Sequence, residues 1–293
     1  MKRIYALRFL LLLSFFSLAL RGLKAETDFK IFTGYRCDHL KWKALELSAQ
    51  TDISVDQVLT ELNFTKQNIA LIGGEAKFID SCLYAKARGD YGWIINNHHV
   101  KESLIALHRD TSPGSTFAQI ATLQTKAHVK GYVGDFSAAI GYPLESACGQ
   151  VFVAPLIGYS YAEQTFKIHD SIPALLISSR GHFKTLWHGP WIGADMNVAL
   201  TSQWSIFGEI EYHYLMNKRT LSSSLSLIPV NAFLHKHYCS TGQGIYLKAG
   251  THFNWCGWIL GLDMVAQYSH VRHQRERINW GYLGGNVSLG CAF

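Results

Sequence analysis

The chain has 293 residues, of which 16% are charged and 13% are aromatic, and its formal net charge is +6. Positions 1–25 hold five basic residues and no acidic ones, so residues 26–293 carry 22 basic and 21 acidic residues. This near balance removes the main support for a nucleic-acid-binding protein, and no nucleic acid partner is expected.

Residues 1–25 have the features of a secretory signal peptide. Lys2, Arg3 and Arg8 form a positive start, and an apolar run over 9–20 follows. That run is too short for a membrane helix, which needs about 20 apolar residues. Ala25 suits the position before cleavage, although the exact site stays open. We expect an exported protein in which residues 26–293 form one domain.

Two-residue periodicity divides this domain into ten predicted strands, at 29–43, 58–79, 82–96, 130–143, 150–168, 186–200, 204–217, 243–254, 257–272 and 279–293. Connections predicted at 44–57, 97–129, 169–185 and 218–242 are long, one at 273–278 is shorter, and those at 80–81, 144–149, 201–203 and 255–256 are tight. Tight turns on one side and long loops on the other are typical of outer-membrane barrels. The sequence therefore predicts an all-β fold, a transmembrane antiparallel β-barrel of about ten strands, with short periplasmic turns and longer extracellular loops. Twelve strands stay an alternative.

Side-chain alternation supports a barrel whose outer face contacts lipid. Along 204–217, one face is apolar and aromatic, and the other is largely polar. Tyr132 and Tyr142, like Trp258 and Tyr268, bracket apolar stretches of about the 9–11 residues that a tilted strand needs to cross the membrane. These paired aromatic residues predict the two interfacial girdles of an outer-membrane barrel.

The last eleven residues form the predicted barrel-closing strand, in which Leu283, Val287, Leu289 and Phe293 share one face. An apolar strand that ends in an aromatic residue is how outer-membrane barrels close, and it is the signal that the barrel-insertion machinery binds. We therefore expect localisation in the cell outer membrane, with outer-membrane lipid and the insertion machinery as partners.

The predicted lumen contains charges of both signs: Glu75, Lys77, Lys86, Arg88, Asp90, Asp195, Glu209, Glu211 and Asp263. They would line a water-filled pore or fill the interior with salt bridges. Eight strands leave an interior that side chains just fill, whereas open porins have 16–18 strands. Ten strands lie close to the filled limit, so we expect a narrow or closed lumen.

No catalytic, cofactor-binding or metal-binding residues are predicted, and no cofactor is expected. The omptin proteases are ten-stranded barrels with acidic and histidine residues at the extracellular rim, and Asp90, His98, His99 and His270 are candidates for such a set. No matching motif surrounds them. Another alternative is an adhesin or ligand-binding barrel that contacts a host surface through loops 97–129 and 218–242.

Six cysteines remain after export, in a compartment that permits disulfides. Cys82, Cys148, Cys256 and Cys291 map to the periplasmic turns and rim. They would serve as small apolar residues or form disulfides with neighbouring envelope proteins, and connectivity cannot be deduced from sequence.

Several short motifs resemble the Protochlamydia-type outer membrane protein family of chlamydia-like bacteria. They include Gly34-Tyr-Arg-Cys-Asp38, Asp90-Tyr-Gly-Trp-Ile94, Pro155-Leu-Ile-Gly-Tyr-Ser-Tyr161, Gly189-Pro-Trp-Ile-Gly193, Trp204-Ser-Ile-Phe-Gly208 and Ile278-Asn-Trp280. The resemblance covers most of residues 26–293 in order. It implies a structural, surface-exposed outer-membrane barrel, porin-like activity in some members, and an envelope stiffened by disulfide-linked proteins. It offers no catalytic residues.

Overall fold

The structure, a computed structural model, describes residues 26–47, 57–95, 99–109, 117–147, 149–169, 180–227, 230–273 and 276–292. The predicted signal peptide, Cys148 and Phe293 lie outside the described residues.

The described residues form twelve antiparallel β-strands. They are β1 (Glu26–Leu47), β2 (Gln57–Asp80), β3 (Leu83–Ile94), β4 (His99–Arg109), β5 (Phe117–Gly141), β6 (Leu144–Glu145), β7 (Val151–His169), β8 (Arg180–Ala199), β9 (Trp204–Leu227), β10 (Val230–Trp255), β11 (Trp258–His273) and β12 (Glu276–Ala292). β1 pairs with both β2 and β12, so the sheet closes on itself.

Two of these elements do not add a strand to the barrel. β3 pairs with residues 69–80 of β2 and 132–141 of β5, whereas β4 pairs with residues 57–64 and 117–128 of the same two strands. β3 and β4 thus lie one above the other between β2 and β5, and together they occupy a single strand position in the barrel wall. β6 is two residues long and pairs with β7 inside a turn. The closed barrel therefore has ten strands, which confirms the predicted fold class.

Strands are longer on one side of the barrel than the sequence predicted. The prediction of a loop at 97–129 was wrong for the described part of that range, because β4 covers 99–109 and β5 begins at Phe117. The prediction of a loop at 218–242 was also wrong, because β9 and β10 leave only residues 228–229 between them. The strands continue beyond the lipid-facing band, where the outer face is polar and the apolar-out pattern used for prediction no longer applies.

Turns at the opposite end are tight, as predicted, and we assign this end to the periplasm. Asp80 precedes the two-residue turn Ser81-Cys82 and accepts a hydrogen bond from the Ser81 backbone N–H at 2.7 Å. The turn between β10 and β11 is Cys256-Gly257, with φ of 49° and 83°. Positive φ at both positions is the geometry of a type I′ hairpin turn, which glycine adopts without strain and most other residues disfavour.

The outer wall has an apolar band between two aromatic girdles, and its large side chains are 40–63% exposed. The periplasmic girdle includes Tyr142, Trp204, Trp255 and Trp258, and the extracellular one includes Tyr35, Tyr91, Trp93, Tyr161, Tyr212, Tyr214 and Tyr268. The band lies on an antiparallel barrel wall, as lipid-facing surfaces of outer-membrane proteins do. Among the described residues, no helix is long and apolar enough to cross a membrane.

A β-bulge changes which residues of β2 face inward. Ile69, Leu71 and Glu75 are buried at odd positions, whereas Leu62 and Phe64 are buried at even positions. Lys66, with φ of 54°, lies between the two sets, and the β1–β2 register shifts opposite it between Asp38 and Leu40. One extra residue thus keeps the inner face of β2 buried along its whole length.

Candidate functional site in the barrel lumen

The barrel lumen brings together most of the buried charged residues and two apolar clusters. The clusters lie toward the two ends of the lumen, and ion pairs between non-neighbouring strands lie between them. The lumen therefore contains the residues from which the lining of a pore or a catalytic site could be built.

Near the periplasmic end, Asp195 of β8 accepts hydrogen bonds from Lys77 of β2 at 3.0 Å, from Lys86 of β3 at 3.2 Å and from the Tyr84 hydroxyl. Lys86 also pairs with Glu209 of β9. Both Lys86 and Asp195 have side chains at most 5% exposed. Buried charges need such partners, because an isolated charge in this position would cost several kcal/mol (order of magnitude).

Two further ion pairs cross the lumen at this level. Arg88 Nη1 of β3 lies 3.2 Å from Glu209 Oε1 of β9, and the Arg88 guanidinium stacks 4.1 Å from the centre of the Tyr246 ring. Lys248 of β10 donates to Glu75 of β2 at 2.9 Å. Because these pairs connect opposite walls, they reduce the open cross-section of the lumen. They also neutralise its charges.

Arg36 is the centre of a second network, nearer the extracellular side. Its Nε lies 2.9 Å from Asp38 Oδ1, and its Nη1 donates to Asp135 and lies 3.9 Å from Asp90 Oδ1. The guanidinium also lies 4.3 Å from the centre of the Tyr282 ring. One cation, whose side chain is 2% exposed, thus serves three carboxylates from β1, β3 and β5.

A chain of hydrogen bonds links a carboxylate, a histidine and a serine beside this network. Glu211 Oε2 lies 2.8 Å from His213 Nε2, and Ser160 Oγ lies 3.0 Å from His213 Nδ1. His213 also stacks on Trp191 with ring centroids 5.9 Å apart. A serine, a histidine and a carboxylate in this order are chemically able to activate a nucleophile, but a substrate would need a route into the lumen.

A cluster of buried aromatic and aliphatic side chains fills the lumen at the level of the extracellular girdle and beyond it. We call it the apolar plug: Leu40, Trp42, Leu62, Phe64, Val129, Ala162, Phe166, Phe183, Trp187, Leu215, Val271, Ile278 and Trp280. Its members come from strands on all sides of the barrel, and their rings touch across it. Trp42 contacts Phe183 with centroids 6.1 Å apart, and Trp187 contacts Trp280 at 5.6 Å.

Between the plug and the periplasmic network is a cavity of about 50 Å³, lined by Arg36, Arg88, Asp90, Asp135, Ser160 and His213 among others. This volume holds only a few water molecules. Among the described residues, no group of three or more histidine, cysteine, aspartate or glutamate side chains has the geometry to hold a metal ion.

The structure places the predicted lumen charges on the inner face of the barrel. Seven of the nine take part in the ion pairs above, Glu211 is hydrogen-bonded to His213, and Asp263 accepts a hydrogen bond from Asn286 at 2.7 Å. Sequence reasoning missed Arg36, Asp135 and Lys248 and the whole apolar plug. The two-residue period from Phe32 would have placed Arg36 on the inner face, but not beside Asp135, which lies 99 positions away.

The residues considered for a protease do not come together in the described part of the chain. Asp90 lies in the lumen near Arg36, whereas His270 faces outward and hydrogen-bonds Asn279. His98 lies outside the described residues, and only the strand position of His99 is described. Among the described residues, His213 does lie beside a carboxylate, that of Glu211, and it is buried in the lumen.

The cysteines occupy the positions that the strand order implies. Cys82 and Cys256 are exposed in the periplasmic turns, and Cys239 is exposed toward the extracellular end of β10. Cys37 and Cys291 are half-buried on the outer wall. The thiols of these five described cysteines are free.

Comparison with solved structures places the fold among outer-membrane barrels. The outer membrane protease OmpT from Escherichia coli superposes with a TM-score of 0.64 at 11% identity, covering 92% of this chain and 97% of that chain. The attachment invasion locus protein Ail of Yersinia pestis, in complex with a heparin analogue, gives a TM-score of 0.30 at 11% identity, covering 91% of this chain and 99% of that chain. At 11% identity, the superposition on OmpT shows the fold alone.

Comparison of sequences identifies the family. No curated protein sequence matches the chain. The family model described as Protochlamydia outer membrane protein matches residues 30–286, which is nearly all of the barrel from β1 to β12. The match confirms the predicted resemblance and the outer-membrane location. The chain therefore belongs to the Protochlamydia outer membrane protein family.

Proposed function

We propose that this protein is a structural, surface-exposed barrel of the outer membrane whose lumen is closed to ions and solutes. The apolar plug carries this proposal, because its rings meet across the barrel at the extracellular end. An ion entering from outside would have to shed its hydration among side chains that offer it no ligands, and that step is strongly unfavourable.

The ion pairs beneath the plug support the same function. Lys86, Arg88 and Arg36 each bind carboxylates on other walls, so the charges that would select ions in a porin here neutralise one another. A cavity of about 50 Å³ lies between the layers and has room for only a few water molecules. A narrow porin activity, the alternative raised by the sequence, would need both layers to rearrange.

Single-channel recording from the refolded protein in a planar bilayer tests the proposal. We expect no steady conductance steps, while a gel assay that detects heat-sensitive folded barrels shows that the protein has inserted. A porin recorded in the same bilayer serves as the positive control. Steady, ion-selective steps from the folded protein would establish a narrow pore and contradict the closed lumen. A folded, inserted protein without conductance would support the closed lumen and leave the extracellular strand ends and the cysteines as the parts available for interactions.

We further propose that thiols at the periplasmic rim join this barrel to neighbouring envelope proteins. Cys82 and Cys256 come from two turns at the same end, and both are exposed. Cys256 supports a role for the thiol itself, because a positive φ of 49° is a conformation that asparagine or glycine adopts more readily. Cysteine therefore occupies a turn position at some conformational cost.

Thiol labelling of cells that express the protein checks this arrangement. A bulky, membrane-impermeant maleimide should label Cys239 on intact cells, and should label Cys82 and Cys256 only after the outer membrane is permeabilised and disulfides are reduced. Single Cys→Ser variants assign each signal. Labelling of Cys82 or Cys256 on intact cells would invert the proposed orientation. Full labelling of both in permeabilised cells without reductant would exclude the cross-links.

A further inference from the structure

A row of basic side chains crosses three neighbouring strands on the outer wall, above the extracellular girdle. Arg272 of β11 lies directly opposite Arg277 of β12, and Arg277 lies opposite Lys43 of β1. Both arginines are exposed, and Lys43 is 40% exposed. We call these three residues the basic row. Like charges in directly opposed positions of a sheet destabilise it, so this arrangement calls for a counter-charge.

The protein itself supplies little of that counter-charge. Glu61 of β2 binds Lys43 at 2.8 Å and Lys41 at 3.0 Å, so one carboxylate serves two lysines. Within the described part of the chain, neither Arg272 nor Arg277 forms an ion pair. Adding Lys41 and Glu61 to the basic row leaves the patch with a net charge of +3. An external anion would relieve the repulsion, and two neighbouring arginines suit a phosphate group.

The height of the basic row indicates which anion fits. Arg277 lies six residues beyond the lipid-facing Leu283, and Arg272 lies four residues beyond the girdle residue Tyr268. At about 3.3 Å per residue and a strand tilt of about 40°, the row stands roughly 10–15 Å above those residues. A phospholipid headgroup layer is only about 5–7 Å deep. A headgroup of phosphorylated sugars is bulkier than that of a phospholipid, so its phosphates reach the long arginine side chains of the row more readily.

A depression on the lipid-facing wall lies below the basic row. Gly208, Ala249 and Ala266 form its floor on β9, β10 and β11, and Leu247, Met264 and Leu283 stand around it. It is an open depression of about 510 Å³ and is almost entirely apolar. Small residues on three neighbouring strands, with larger ones around them, leave room for an acyl chain that a flat wall would not provide. This shape is a second observation, independent of the charges, that favours a lipid.

We propose that β9–β12 and β1 bind a phosphorylated glycolipid of the outer leaflet. An acyl chain lies in the depression, the sugar headgroup extends past the girdle, and a phosphate lies between Arg272 and Arg277. Binding replaces the repulsion within the basic row by charge-assisted hydrogen bonds to one phosphate. This inference stands apart from the closed lumen, because the site is on the outer wall.

Native mass spectrometry of the refolded protein with added lipid tests the site, using bisphosphorylated lipid A as the probe. We expect Arg272→Gln with Arg277→Gln to weaken binding at least tenfold. The matched control is Lys66→Gln with Lys218→Gln, which removes the same charge from exposed positions outside the basic row and should bind within twofold of the original protein. Ala249→Phe fills the depression and should weaken binding several-fold without changing the charge.

Three results would overturn the proposal. One is equal loss of binding in the control and the arginine variants, since that would reflect general charge attraction. Another is binding of phosphatidylglycerol as tight as that of bisphosphorylated lipid A, since the ligand would then be an ordinary phospholipid. The third is unchanged lipid A binding by both the arginine variant and Ala249→Phe. Because all substituted side chains face outward, a heat-sensitivity gel should show each variant folded.

Discussion

Replacing Arg36 by methionine is expected to destabilise the folded barrel by about 3–5 kcal/mol, the usual cost of removing one partner of a buried ion pair. Arg36 is the cation that faces Asp38, Asp90 and Asp135, and the substitution leaves these carboxylates in the lumen without it. Methionine keeps much of the side-chain volume, so the effect reports charge rather than a cavity. Denaturant unfolding of the protein refolded into lipid vesicles measures the change in the free energy of unfolding.

Two further variants make the Arg36 result specific. Lys130→Met removes a cation from an exposed position on the outer wall, where the expected change is within about 0.5 kcal/mol. Combining Arg36→Met with Asp38→Asn and Asp135→Asn should recover part of the lost stability, because the unpaired carboxylates are gone. Equal stability of Arg36→Met and Lys130→Met would show that this network does not stabilise the barrel.

The sequence alone predicted the lipid-facing half of this architecture well, because the membrane imposes a simple rule on it. In β9, Trp204, Ile206, Ile210, Tyr212 and Tyr214 all face outward as expected, since each lipid-contacting position must be apolar or interfacial. The inward charges of the same strand, such as Glu209 and Glu211, follow from the two-residue period. The count of ten strands also follows from that pattern.

The extracellular part could not be predicted in the same way, because its pattern is reversed. Beyond the girdle, water contacts the outer wall and the apolar plug fills the inside, so Phe183 and Trp187 face inward while Lys184 is 42% exposed. A search for apolar-out strands reads such a segment as a loop. The bulge at Lys66 also changes the inward-facing positions of β2 from even to odd residue numbers, and a strictly alternating pattern cannot show such a change.

Partners within the lumen were beyond sequence reasoning for a different reason. Lys86 and Asp195 are 109 positions apart, and Lys77 and Asp195 are 118 apart. Which inward charge meets which depends on the stagger between strands and on the side-chain conformations across the barrel. Composition and period show that charges of both signs face inward. Only the closed barrel shows that they neutralise one another.

The plug makes the second large prediction, which uses Phe64. Its ring is completely buried, stacks on Phe166 with centroids 4.8 Å apart and contacts Phe183 at 5.5 Å. Phe64→Ala should lower the free energy of unfolding by about 3–5 kcal/mol, because it removes buried contacts and leaves a cavity that the rigid barrel wall cannot close. Denaturant unfolding in lipid vesicles again provides the measurement.

Phe136→Ala is the matched control, because it removes the same atoms from the lipid-facing wall, where the ring is 54% exposed. Acyl chains fill the space there, so only the free energy of transferring the ring out of water is lost, about 1.5–3 kcal/mol, and no cavity forms. Phe64→Ala should therefore be the more destabilising of the two.

In a planar bilayer, Phe64→Ala should still show no conductance, because the Arg36 network lies beneath the plug. A Phe64→Ala variant no less stable than Phe136→Ala would mean that the plug is loosely packed. Conductance on loss of Phe64 alone would show that the plug, and not the ion pairs, is what closes the lumen.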